Sequence, residues 1–157
     1  MEREGIIKAI NLKFREMSTE TIMLHQAIAD ALGLHITDHK CLDYIYRFGA
    51  MPAGRLAELT GLTTGAVTGI IDRLERAGYV RRTSDPKDRR KTIVEPTKNK
   101  ELERKLEGVF GSLGERMNRL LSSYTDKELR FLLDATTKML DEARDESKAL
   151  RASFQKK

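Results

Sequence analysis

The chain has 157 residues, with 29 Lys and Arg against 24 Asp and Glu, a formal net charge of +5. That length suits one compact domain with helical extensions, and a single cysteine excludes an internal disulfide framework and fits a reducing compartment. No apolar run approaches the roughly 18 residues of a membrane span, and MEREGIIKAINLKFRE lacks a basic segment followed by an apolar one, so neither membrane nor secretory signal is expected and the cytoplasm is.

Ile6, Ile7, Ile10, Phe14, Met17, Met23, Leu24, Ile28 and Leu32 recur at spacings of three and four, which predicts a long amphipathic helix closed by Gly33. Thr37 reads as the N-cap of a second helix, with Ile36 and Cys41 as its hydrophobic staple and Gly49 as its stop. Pro52 suits the first turn of a short third helix that buries Leu56, Ala57 and Leu59 and ends at Gly61. Thr63 caps a fourth helix, with Leu62 and Val67 as staple and Ala66, Val67, Ile70, Ile71 and Leu74 facing inward. Gly78 ends it, and Tyr79 folds back on Leu74.

The period then changes from helix to strand. YVRRT and KTIVE flank SDPKDRR, which predicts a β-hairpin with a basic tip. After Pro96, Thr97 reads as the cap of a helix running to about Ser123, roughly 40 Å long at 1.5 Å per residue. Thr125 caps a last helix with Leu129, Leu132, Leu133, Met139, Leu140 and Ala143 as its stripe, and the tail RASFQKK is expected to fray.

Charge is unevenly placed along these elements. Residues 1–54 carry 6 basic and 7 acidic side chains, residues 55–100 carry 11 and 6, and residues 101–157 carry 12 and 11. The whole excess therefore sits on the helix-helix-hairpin segment. Three helices followed by a β-hairpin, the last two helices joined by Gly-Leu, form a winged helix-turn-helix, whose second turn helix enters a major groove. Thr63, Thr64, Gly65 and Thr68 open that helix. Small side chains let it lie deep, and hydroxyls bond bases or phosphates. Arg73, Arg81, Arg82, Lys87, Arg89, Arg90 and Lys91 complete a candidate DNA-binding set. An arginine on a narrow tip fits a minor groove. Asp88 is out of place as a phosphate binder and reads as a support for Arg90 or Arg73.

The run LTGLTTGAVTGIIDRLERAGYVRRTSDPKDRRKTIVEPT resembles the MarR family of bacterial transcriptional regulators. The resemblance is close over about residues 34–97, most specifically in Asp-Arg-Leu-Glu, Ala-Gly-Tyr-Val-Arg-Arg and the Asp-Arg-Arg tip. It implies a homodimer with intertwined terminal helices, Arg90 in the minor groove, Asp88 buttressing it, and small ligands held between the dimerisation and DNA-binding parts. Two residues depart from the family pattern. Gly69 stands where a larger, often basic, residue is common, and Pro96 where an apolar one is usual.

The expected fold is mainly α with a small β-hairpin wing: an N-terminal dimerisation helix over 1–36, a winged helix-turn-helix over 37–97 and dimerisation helices over 98–157. The expected function is a ligand-responsive regulator, acting as a repressor, that binds a pseudo-palindromic operator in double-stranded DNA as a homodimer. Phe14, Met17, Tyr44 and Phe110 are candidates for the effector cleft, with ordinary core packing as the plainer explanation at helical spacing. No nucleophile elbow and no Walker or Rossmann loop is present, so no enzyme, cofactor or metal is expected. The alternatives are an oxidant sensor using Cys41, a metal sensor or metal- or thiol-dependent enzyme using His25, His35, His39 and Cys41, and a protein-interaction winged helix. Gly108, Gly111 and Gly114 within the fifth helix read either as close helix packing in a dimer or as a bend beside Phe110.

Overall fold

The computed structural model describes residues 2–84, 92–98 and 100–154, and gives only the helical backbone at 101–103, 105, 106, 109 and 110. Six helices and three short strands follow in the order α1 (Arg3–Leu32), α2 (Ile36–Phe48), β1 (Met51–Pro52), α3 (Ala53–Thr60), α4 (Thr64–Arg76), β2 (Val80–Ser84), β3 (Thr92–Pro96), α5 (Lys100–Leu121) and α6 (Asp126–Phe154). The chain divides into two compact units at Val109/Phe110, inside α5.

The first unit is built on one core. Ile28 and Leu32 from α1 meet Cys41, Leu42 and Ile45 from α2, Leu56 from α3, and Val67, Ile70, Ile71 and Leu74 from α4. Tyr79, Val80 and Val94 close it on the sheet side. Each fully buried Leu or Ile contributes roughly 1.5–3 kcal/mol. This is the inward face expected of α4, with one correction: Ala66 is exposed, because it sits in the first turn at the flank of the buried stripe rather than at its centre.

Local chemistry explains how α4 is placed. Gly61 takes the left-handed conformation at φ 69 that closes α3. Two residues on, the Thr63 hydroxyl accepts a hydrogen bond from the Ala66 N–H at 3.2 Å, capping α4. At the other end Tyr79 N–H donates to Leu74 O and Gly78 N–H to Glu75 O, at 2.9 and 3.0 Å, with Gly78 at φ 80. That is the fold-back expected of Gly-Tyr after a helix. The Tyr79 hydroxyl then donates to the Leu32 carbonyl at 2.9 Å, tying the wing to the end of α1.

Three caps differ from expectation. Helix α2 starts at Ile36 with His35 at the cap position and no side-chain bond, so Thr37 lies inside the first turn and Ile36 and Cys41 are not a staple. Leu34 N–H bonds back to Ala29 O at 2.9 Å, so the connection is too short to delay the start of α2. Pro52 precedes α3 rather than opening it, because it belongs to a strand. Thr97 caps nothing. Its hydroxyl donates to the carbonyls of Gly78 and Tyr79 and holds the exit of β3 against the entry to β2.

The sheet is antiparallel in the order β1-β3-β2. The hairpin of β2 and β3 was expected; its third strand, β1, is added through Met51↔Val94 and Pro52↔Ile93. Val80 lies opposite Pro96, which ends β3.

In the second unit, α6 begins with a reciprocal cap: the Thr125 N–H donates to the Glu128 carboxylate at 2.8 Å, and Glu128 N–H to the Thr125 hydroxyl at 3.4 Å. The Thr125 hydroxyl also donates to the Glu128 carboxylate at 2.7 Å, and that bond first, then the Thr125 N–H, holds the carboxyl below its ordinary pKa. The helix continues to Phe154, so Arg151–Phe154 of the expected fraying tail are helical. Among the described residues, no helix is long and apolar enough to cross a membrane.

Candidate nucleic-acid interface

The exposed side of α4 begins with Thr63, Thr64, Gly65 and Thr68, all solvent-facing. The Thr63 hydroxyl is committed as the cap acceptor, and the Thr68 hydroxyl donates to the Thr64 carbonyl at 2.9 Å, leaving the oxygens of both free to accept further bonds. A Cβ on Gly65 would meet nothing within 4 Å. The first two turns thus form a shallow surface of hydroxyls and backbone.

The arginines are held by acids. Arg73 donates from Nε and Nη2 to the two oxygens of Asp38, each at 2.7 Å. This fork raises the Arg73 pKa still further. Asp38 is buried in the first turn of α2. Arg81 donates from Nε to Glu95 directly across the hairpin at 2.6 Å. Arg82 reaches back onto α4, donating to Asp72, to Glu75 and, at 3.3 Å, to the Thr68 carbonyl; Glu75 also accepts the Arg82 backbone N–H at 2.9 Å. Sequence reading missed these acidic partners. Arg81 and Glu95 become readable once the hairpin register is fixed, whereas nothing local links Asp38 to Arg73.

Lys87, Asp88, Arg89, Arg90 and Lys91 of the wing tip lie outside the described residues. So does the Phe110 side chain. Of the other cleft candidates, Phe14 is half-buried and Met17 exposed on α1, and the half-buried Tyr44 ring stacks on Phe48 at 5.9 Å. A separate pocket of about 480 Å³ lies where α1 and α2 meet α4, with Gln26, Asp30, His35, Thr37, Asp38 and Arg73 on its walls.

Residues 34–92 match the MarR family profile. Over 139 residues the chain is 41% identical to YcgE, an HTH-type transcriptional regulator of Bacillus subtilis, covering 88% of each protein. The chain belongs to the MarR family. It is a helix-turn-helix transcriptional regulator by that membership. Solved structures agree in fold. A MarR family protein of Bacillus stearothermophilus aligns at a TM-score of 0.67 and 19% identity, over 92% of this chain and 99% of that one. Streptococcus pneumoniae FabT, solved in complex with DNA, aligns at 0.69 and 19% identity, over 88% and 98%.

The thiol of this MarR-family chain is placed unfavourably for redox sensing. Cys41 is fully buried, and burial, then the nearby Asp38 charge, pushes its thiol up to about 11. A redox sensor needs an exposed thiolate, so this environment opposes that role. His25 Nδ1 lies 3.1 Å from His39 Nε2, so the two rings hydrogen-bond each other. Among the described residues, no group of three or more His, Cys, Asp or Glu side chains is placed to hold a metal ion.

Proposed function

We propose that this protein is a repressor, rather than an enzyme, that binds a pseudo-palindromic operator in double-stranded DNA as a homodimer in the cytoplasm and is released by a small-molecule effector. The observation that carries the DNA-binding reading is the exposed hydroxyl-and-glycine surface on the first turns of α4, followed by the basic hairpin. FabT and MepR, relatives in fold, have been solved on DNA. Thr63, Thr64, Gly65 and Thr68 face the major groove, and Arg73, Arg81, Lys87, Arg89, Arg90 and Lys91 face phosphates or the minor groove, with Asp88 supporting the tip. Arg82, held by two acids, braces the wing. The winged helix over 37–97 lies between dimerisation segments 1–36 and 98–157, with the effector cleft at Phe14, Met17, Tyr44 and Phe110.

Gel-shift titration against the DNA upstream of the protein's own gene tests this reading. Preference over random duplex at physiological salt is expected, and its absence rejects sequence-specific regulation. Arg90→Ala is expected to weaken operator binding by about 1–3 kcal/mol.

A further inference from the structure

The Asp38–Arg73 pair joins helices whose partners stand 35 residues apart in sequence, and among the described residues it leaves half of the guanidinium without a hydrogen bond. Asp38 takes the Nε–H and one Nη2–H. A guanidinium has five donors in a fixed plane, so the Nη1/Nη2 edge remains for a second anion. The Arg73 side chain is 45% exposed while that of Asp38 is 2% exposed, so one edge is anchored inside and the other is open.

The open edge has a definite address. Nη1 lies 3.6 Å from where a Cβ on Gly69 would stand, one turn earlier on α4. Gly69 shares the outward side of the helix with Gly65, Thr68 and Asp72. A Cβ there would stand in ordinary contact with Nη1, so a longer side chain at 69 would crowd the Arg73 fork and glycine leaves it open beside the groove surface. A phosphate oxygen pair fits such an edge, since Arg binds phosphates through two parallel hydrogen bonds.

We propose that Asp38 is a positioning residue for DNA binding: it grips one edge of Arg73 so that the other is presented beside Gly69 as a phosphate clamp. This rests on the DNA-binding reading above. The arrangement separates orientation from charge. Asp38 is an acid in a DNA-binding unit, and by charge alone its removal should tighten binding. By orientation, its removal frees a long flexible side chain and weakens the clamp.

The test is operator binding by fluorescence anisotropy across a salt series, with wild type, Asp38→Asn, Arg73→Gln and the double variant. Asp38→Asn is expected to weaken binding about tenfold and to lower the salt slope by about one per recognition helix, the signature of a lost phosphate contact. In the Arg73→Gln background it is expected to add nothing. Unchanged or tighter binding by Asp38→Asn overturns the proposal, as does weaker binding at an unchanged slope or an effect that persists without Arg73. Should Asp38→Asn fail to fold by circular dichroism, Arg73→Lys serves instead. It keeps the charge without the fork, and full wild-type affinity in that variant overturns the clamp. A wild type with no preference for its operator rejects the DNA-binding reading itself; a wild type that binds, with Asp38→Asn unaffected, rejects only the role of Asp38.

Discussion

His39 is fully buried on α2, and burial first, then the neighbouring His25, lowers its imidazole below the ordinary 6.5. Asp43 opposes this and Lys40 adds to it, both more weakly. The hydrogen bond to His25 needs a lone pair on one of the two rings, so double protonation breaks it. The unfolded chain takes up its proton near the ordinary value, and the folded chain only at lower pH. The stability that neutral His39 supplies is thus full above about pH 6.5 and is lost as pH falls below it. Melting at about pH 7.5 and about pH 5.5 should give a lower midpoint at the acidic value, and His39→Asn should shrink that difference; an equal difference in the variant places the titration elsewhere. Cys41 makes a second residue-level prediction. A thiol held at about 11 and buried against the core has little thiolate at neutral pH, so peroxide at modest excess should leave operator binding unchanged, and a disulfide reagent should react only as the protein unfolds. Rapid labelling of native protein would contradict this.

At the scale of elements, the Arg82 guanidinium links the wing to the exposed side of α4. Arg82 meets Asp72, Glu75 and the Thr68 carbonyl, and Glu75 also holds its backbone N–H. If this is a brace, Glu75→Gln and Arg82→Gln should both weaken operator binding, by about 1 kcal/mol each, with little change in salt slope. A phosphate-contacting Arg82 gives the opposite pattern: a shallower slope for Arg82→Gln and tighter binding for Glu75→Gln. The brace also marks where sequence reading reaches its limit. Gly61, Thr63 and Gly78 were readable because their chemistry acts within a few residues: positive φ, a hydroxyl on an orphan N–H, a fold-back onto the last turn. The strand Met51–Pro52 was not, because a two-residue strand has no periodicity and its partner Val94 lies far along the chain. Thr37 misled because a cap residue type marks a start only where the backbone is still extended. Here the extended residue is His35, at φ −69 and ψ 148. On the candidate site, the hydroxyl-bearing turn of α4 was legible as composition, while the acids that aim Arg73, Arg81 and Arg82 depend on tertiary placement and register.

At the scale of the whole molecule, exposed apolar surface argues for a second copy. On α1, Ile6, Ile7, Ile10, Met17 and Leu24 are all exposed, and α6 buries no residue, with Phe131 and Leu133 at 70% and 69% exposure. Monomeric proteins rarely leave apolar patches beyond a few hundred Å² in water. The flanking segments 1–54 and 101–157 are nearly neutral, so two copies could pair there without strong repulsion, and a pair would carry the +5 of residues 55–100 twice. Linking two recognition helices makes the second half-site contact intramolecular, which raises operator affinity without any new contact. Light scattering at micromolar concentration should therefore give twice the 17.9 kDa chain mass. Replacing Ile10 and Met17 together by Glu should yield monomer that keeps its helical circular dichroism and binds operator at least about tenfold more weakly, with affinity for a single half-site retained. A monomeric wild type, or a monomeric variant with undiminished operator affinity, would remove pairing from the account of how this protein holds DNA.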